Sequence, residues 1–370
     1  MSADDPAKAA FRYPCDRCGA LLRFAPGQDH LRCTHCGHEQ DIPPAAAEKR
    51  AKALEELDLH QALGQLLPAN AIEETRVVTC HACGAQITFD ADSHAGTCPF
   101  CATPVVVDTG AHRHIKPQAL IPFRITEAEA HEAMTGWLGR LWFAPSGLRD
   151  YARRGRRLDG LYVPYWTFDA ESETDYSGLR GIYYYETRTV MVTVNGKRQP
   201  RQQQVRKVRW TPVQGRVRRF FDDLLVMGAT SLPRRHADGL APWDLGGLQP
   251  YSPDYLAGFR AEGYTVELAQ AFALAREQMD RIIAQDIRRD IGGNEQQIHH
   301  AETRLSGETF KHILLPVWMA AYRYRGRSYR FVVNGQSGKI QGERPWSAWK
   351  IALAVLGLVL IAAVAAYLSR

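Results

Sequence analysis

The sequence predicts a multidomain chain: two small β modules built on four cysteines each, an α+β body with an antiparallel sheet, and one C-terminal transmembrane helix. Three observations carry this. All eight cysteines fall in Cys-x-x-Cys pairs that repeat at a constant offset. The middle of the chain alternates strand-like runs rich in Tyr, Val, Thr and Trp with two helical patterns. The last run, Ile351 to Leu368, holds 18 residues without a charge. A length of 370 residues suits two or three domains. With 45% hydrophobic and 23% charged residues, wholesale disorder is excluded.

Met1 to Ala10 has no basic n-region and no apolar h-region, so no export signal is expected. Thiols kept in a reducing compartment hold metal more often than they form disulfides.

The first module is placed at residues 11–43 and the second at 76–108. Cys15 and Cys18 are followed, after 14 residues, by Cys33 and Cys36. Cys80 and Cys83 are followed, after the same interval, by Cys98 and Cys101. Every cysteine of the second set lies 65 positions beyond its counterpart, as do Gly84-Ala85 beyond Gly19-Ala20 and Phe89 beyond Phe24. This is an internal repeat. Zn²⁺ takes four tetrahedral thiolates at about 2.3 Å, and each Cys-x-x-Cys turn offers two sulfurs from one tight knuckle. Gly19, Gly84 and Gly37 stand where a knuckle needs positive φ, while Ala102 stands at the fourth such place. The expectation is two zinc ribbons with one structural Zn²⁺ each. Iron suits four thiolates as well. A redox dithiol would want a βαβ unit beside it, and none is read here. His35 and His81 lie inside knuckles and are expected to face solvent.

Residues 45–68 read as a linker helix, opened by Pro43-Pro44 and closed by Pro68, with a partial leucine stripe. Charge then divides the chain. Residues 1–114 hold 15 acidic and 10 basic residues, net −5; the remainder holds 25 acidic and 36 basic, net +11, for a total of +6. Acidic modules suit phosphate poorly; the basic body suits an anionic surface.

The body spans residues 115–343. Thr126 to Leu141 reads as a helix with a capping box from Thr126 and Glu129. Strands are expected over Leu161–Tyr176, Ile182–Val194 and Arg198–Thr211, with Asn195-Gly196 as a hairpin turn. A long helix follows over Val266–Ile291, its buried face marked by Leu268, Phe272, Ala275, Met279 and Ile282, and Gly292-Gly293 ends it. Further strands are expected over Gln296–Leu305, Thr309–Tyr324 and Ser328–Val333. Leu161 to Trp166 (LYVPYW) resembles Ile313 to Trp318 (ILLPVW), which implies two related sheet units.

Between Arg188 and Arg219 there are ten basic residues and no acid, and five arginines lie between Arg149 and Arg157. A solvated ribbon face accounts for this; lipid headgroups and then nucleic acid are the sharper readings. Catalytic patterns are missing: no G-x-x-x-x-G-K-[ST], no H-E-x-x-H and no G-x-S-x-G. His112, His114, His299 and His300 have no companion carboxylate motif. No enzymatic activity is expected.

The apolar run, placed at residues 349–368, is about 27 Å long over its 18 uncharged residues, close to a hydrocarbon core. Trp346 and Trp349 flank one end and Tyr367 the other. Arg330, Lys339, Arg344 and Lys350 precede it and only Arg370 follows, so the bulk of the chain is expected on the cytosolic side of the cytoplasmic membrane, facing the anionic inner leaflet.

Phe310 to Trp318, Tyr329 to Lys339 (YRFVVNGQSGK) and Leu161 to Trp166 resemble the bacterial TFIIB-type zinc-ribbon membrane proteins. These are often labelled primosomal protein N′ or PriA-like helicase, and some are linked to phage-shock-type membrane stress and SPFH scaffold proteins. The resemblance covers essentially the whole chain. It implies a membrane adaptor with a protein partner, SPFH or phage-shock-type. The helicase label is rejected because no P-loop is present. The sequence thus favours an adaptor; the alternative is a membrane-tethered nucleic-acid-binding protein.

Overall fold

The computed structural model describes residues 13–64, 67, 72–76, 78–80, 84–87, 95–97, 100, 104–106, 111–140, 158–194, 197–324, 327–343 and 347–368. Cys83, Cys98, Cys101, His81, the arginine-rich stretch 149–157 and the Asn195-Gly196 turn lie outside them.

The first module is a three-stranded antiparallel sheet, β1 (Leu22–Phe24), β2 (His30–Cys33) and β3 (Glu39–Asp41). Leu22, Phe24 and Leu31 alternate inward, as a half-buried strand requires. The linker is not one helix. It comprises α1 (Ala47–Leu54), a strand fragment β4 (Leu57–Asp58) and α2 (Leu59–Leu63). One long-range and one local interaction win over continued helix. Leu57 and Asp58 pair with Phe310 and Thr309 of the body, and the Asp58 carboxylate accepts from Gln61 N–H at 2.8 Å as an N-cap.

The second module contributes β5 (Ile72–Arg76), β6 (Val78–Thr79), β7 (Gln86–Ile87), β8 (Ala95–Thr97), β9 (Pro104–Val106) and β10 (Ala111–Ile115). Its register repeats the first at the same offset of 65. Ala95↔Val106, Gly96↔Val105 and Thr97↔Pro104 answer His30↔Asp41, Leu31↔Gln40 and Arg32↔Glu39, and Thr79↔Gln86 answers the Pro14↔Leu21 bridge.

The body begins with β11 (Ala119–Leu120) and α3 (Glu127–Gly139), whose capping box from Thr126 and Glu129 forms as expected. Then come β12 (Asp159–Val194) and β13 (Lys197–Met227), of 36 and 31 residues. After α4 (Arg234–Gly239), β14 (Gln249–Pro250) and β15 (Arg260–Gly263), the long helix α5 (Leu268–Ile291) leads to β16 (Glu295–Tyr324, 30 residues), β17 (Arg327–Asn334) and β18 (Ile340–Gly342). The strands read separately at 161–176 and 182–194 are one, as are those at 296–305 and 309–324. A 36-residue strand is about 120 Å long.

At the centre two β-α-β-β units meet about a local two-fold axis. The hexapeptides Leu161–Trp166 and Ile313–Trp318 pair antiparallel, and their equivalent residues Val163 and Leu315 face each other. β15 runs parallel to β12 at Leu161, as β11 does to β16 at Ile313. Pro164 O accepts from Gly228 N–H and Pro316 O from Gly335 N–H, each at 2.8 Å. Trp166 Nε1 donates to Val266 O and Trp318 Nε1 to Ile125 O, each at 3.0 Å. Both carbonyls immediately precede the N-cap of a helix, α5 or α3, so each indole fixes where its helix starts. The weak hexapeptide repeat is therefore the visible trace of a duplicated unit.

Alternate residues of the central strands divide the core. Leu161, Val163, Ile313 and Leu315 point to one face, where Cys80, Phe100, Leu232 and Trp243 pack. Tyr162, Leu314 and Trp318 point to the other, under α3 and the first module. Trp166, Phe168 and Phe310 continue that face beneath α5. The buried stripe of α5 is Ala271, Ala275, Met279, Ile283, Ile287 and Ile291, so Phe272 and Ile282, expected inside, are its half-buried flanks. A step of four exceeds the 3.6-residue turn, so the stripe winds round the helix and follows a twisted ribbon.

The C-terminal helix, α6, covers Ala348–Leu368. Among the described residues, Trp349–Leu368 is the helix long and apolar enough to cross a membrane.

Candidate metal centre

In the first module each knuckle is a tight backbone turn. Cys15 N–H donates to Ala20 O (2.7 Å) and Gly19 N–H to Cys15 O (2.8 Å); Cys33 N–H donates to His38 O (2.8 Å) and Gly37 N–H to Cys33 O (3.0 Å). Gly19 and Gly37 both have φ of 72°, the left-handed conformation in which a Cβ is costly. The turns bring four sulfurs together, all within 4.8 Å of one another. Cys15 Sγ lies 3.6 Å from Cys36 Sγ, and Cys18 Sγ lies 3.5 Å from Cys33 Sγ. A disulfide needs about 2.05 Å. A tetrahedron with metal–sulfur bonds of about 2.3 Å has edges of about 3.8 Å. The donor set and its size fit a divalent metal such as zinc.

The electrostatics agree. The Cys36 backbone N–H, with that of His35, pulls the Cys33 thiol down to about 6. Cys18 accepts a lowering hydrogen bond from the Ala20 backbone, yet local desolvation and its contacts with Cys36, Cys33 and Cys15 push it up to about 12. Four touching thiols cannot all ionise unless a cation shares their charge. Cys15 and Cys33 are buried and Cys18 and Cys36 exposed, so the site lies at the module's rim. His35 is exposed.

Of the second module's four cysteines, only Cys80 lies among the described residues. Its knuckle repeats the first: Cys80 N–H donates to Ala85 O (2.8 Å), Gly84 N–H to Cys80 O (2.8 Å), and Gly84 has φ of 73°. The fourfold arrangement with Cys83, Cys98 and Cys101 lies outside the described residues.

Sequence reasoning missed a second titratable cluster, because its members are spread from residue 56 to residue 311. Lys311 Nζ lies 2.6 Å from Glu56 Oε1 and 2.9 Å from Asp223 Oδ1, and its side chain is 7% exposed. Asp169 Oδ1 accepts from Asp223 N–H at 2.7 Å. Burial, then the neighbouring Glu56, pushes Asp169 up to about 7. Glu56 is held low: burial opposes this, but hydrogen bonds with Asp169 and Lys311 outweigh it. The three carboxylates are close enough to hold a cation, and the Lys311 ammonium already stands among them. The cluster clamps residues 55–58 onto the central sheet.

The Asn-Gly-Gln-Ser-Gly-Lys stretch also has a structural task. Asn334 Oδ1 accepts from Gln336 N–H (2.8 Å) and Ser337 N–H (2.9 Å), while Asn334 Nδ2 donates to Leu240 O (3.0 Å). Gln336 and Asp244 exchange two further hydrogen bonds. The loop staples residues 240–244 to the sheet. His299 falls at a bulge of β16 opposite Ser177 and Gly178, and the backbones of His112 and His114 pair with Thr75 and Glu73 of β5.

No family model and no solved structure matches the chain. Among curated proteins it is similar to the "Uncharacterized protein YdjG" of Bacillus subtilis (strain 168), with 26% identity over 345 residues, 92% of each chain.

Proposed function

We propose that this is a membrane-anchored adaptor of the TFIIB-type zinc-ribbon kind, facing the cytosol and catalysing nothing at its cysteines. The observation that carries the reading is the four-sulfur cluster of Cys15, Cys18, Cys33 and Cys36. A site closed by four thiolates leaves no coordination position for a water or substrate, which is the chemistry of a structural metal. Cys80, Cys83, Cys98 and Cys101 would close a second such site, supported by the repeated register. The ribbons would present rigid surfaces to a protein partner, of the SPFH or phage-shock type that the resemblance implies. The apolar C-terminal helix would anchor the chain with Lys350 and Lys339 on the cytosolic side.

The test is purification of the full chain from membranes in mild detergent, intact and with Cys15→Ser/Cys80→Ser. Protein partners present with the intact chain and lost from the variant support the adaptor. The basic β12–β13 hairpin favours a second reading, a tethered nucleic-acid binder. Nuclease-sensitive material retained by the variant would replace the first reading with this one.

A further inference from the structure

The β12–β13 ribbon has two parts. In the stalk, up to Gly181, β16 pairs with β12 and α5 covers one face. Beyond it, thirteen pairs from Ile182↔Arg209 to Val194↔Lys197 form a two-stranded arm about 43 Å long. Cross-strand register puts Ile182, Tyr184, Glu186, Arg188 and Val190 on the face that α5 covers lower down, with Arg201, Val205, Lys207 and Arg209 opposite them. Over these named positions the face carries four basic residues and one acid, with Ile182, Val190 and Val205 set between them. Ile182 is 44% exposed.

The stalk shows what such a face accepts. There the ribbon holds an amphipathic helix through apolar residues every fourth position and through carboxylates. Arg219 pairs with Asp286 at 2.5 and 2.8 Å, and Tyr176 donates to Asp290 at 2.5 Å. The helix stops at Gly292, and the Arg180 guanidinium donates to the last carbonyl, Ile291 O. Beyond that point the ribbon continues, and among the described residues no helix covers it.

We infer that the arm is a docking surface for an acidic amphipathic helix of a protein partner, laid along the ribbon in line with α5. Charge complementarity selects acid, and the interleaved Val and Ile select an apolar stripe rather than a row of phosphates. A flat bilayer would meet α5, which stands about 10 Å proud of this same face, before it reached Arg209 and Tyr184. The inference rests on the adaptor reading but uses a surface remote from the cysteine modules, so the two fail separately.

The test uses the full chain in neutral phosphatidylcholine nanodiscs. The probe is a labelled 24-residue peptide copied from Leu268–Ile291 with Arg276, Arg281, Arg288 and Arg289 changed to Glu. Saturable binding is expected, with a gain of helix, weakened about 30-fold by Arg188→Glu/Arg201→Glu/Arg209→Glu. The same peptide with its apolar residues scrambled should not bind. Unchanged hydrogen exchange in α5 of the variant confirms that its stalk is intact. No saturable binding, or equal binding to the variant, overturns the inference. So does tighter binding of a 20-base-pair duplex or of phosphatidylserine vesicles through the same arginines, which would assign the face to nucleic acid or to lipid. Cysteine variants that retain peptide binding would leave the arm assignment standing even if the ribbons were misread.

Discussion

Stalk and arm are made of the same two strands, yet they are held together differently. In the stalk the arginines are spent on partners within the chain: Arg216 meets Asp175 at 2.6 Å, Arg218 meets Glu173 at 2.6 Å and Arg304 meets Asp175 at 2.7 Å. In the arm, the described ion pairs converge on the one acid, Glu186, from Lys207 (2.5 Å) and Arg188 (3.9 Å). Arg206 and Arg209 instead lie over the rings of Tyr183 and Tyr184, at 4.3 and 5.3 Å. A third strand and a helix stabilise the stalk; a two-stranded ribbon alone is marginal in water. The stalk is thus held by contacts within the chain, while the arm's basic side chains have few acidic partners among the described residues.

The largest expected effect separates the two by burial. Met279 is fully buried under the stalk, and Met279→Ala should lower stability by about 2–4 kcal/mol. Met191 in the arm is 62% exposed, and Met191→Ala should change it by less than about 0.5 kcal/mol. Denaturant melts of the detergent-solubilised chain check both; equal losses would show that stalk and arm are packed alike. Next comes charge. Arg219→Ala removes a two-pronged contact with the mostly buried Asp286 and should cost about 1 kcal/mol. Arg209→Ala should leave stability unchanged within error.

Why the sequence blurred this division is visible in two glycines. Gly178 and Gly215 have the composition of strand breakers, and the strands expected from the sequence, ending at Tyr176 and Thr211, stop short of both. A Cβ on Gly178 would lie 2.2 Å from Gln297 O at a bulge, and one on Gly215 would lie 2.6 Å from the Tyr176 hydroxyl. These glycines admit close neighbours across the ribbon; they do not turn the chain. Locally encoded features were legible: the Thr126 capping box, the α5 pattern ended by Gly292, and the cysteine spacing that gathers Cys15, Cys18, Cys33 and Cys36. The duplicated unit was legible only as a six-residue echo, because Trp166 and Trp318 keep their roles while helix and strand lengths diverge. The Lys311 cluster was invisible, since Glu56 reaches it across more than 250 positions of sequence.

A smaller effect tests the base of the stalk through that cluster. Asp169 is raised to about 7 from an ordinary value near 3.8. The folded state therefore binds a proton that the unfolded state releases, and this group's contribution to stability falls as pH rises from about 4 to 7. Asp169→Asn keeps an acceptor for Asp223 N–H and cannot ionise, so its stability relative to the parent should rise with pH across that window. A parent and variant with parallel pH profiles would show that Asp169 titrates normally.

If the eight cysteines close two metal centres, metal stoichiometry shows it. Native mass spectrometry of the full chain should give two zinc ions per molecule, with X-ray absorption reporting sulfur at about 2.3 Å as the sole neighbour. Cys15→Ser/Cys33→Ser should remove one ion and leave the other. A folded chain without metal, or a variant that still holds both ions, would contradict the account.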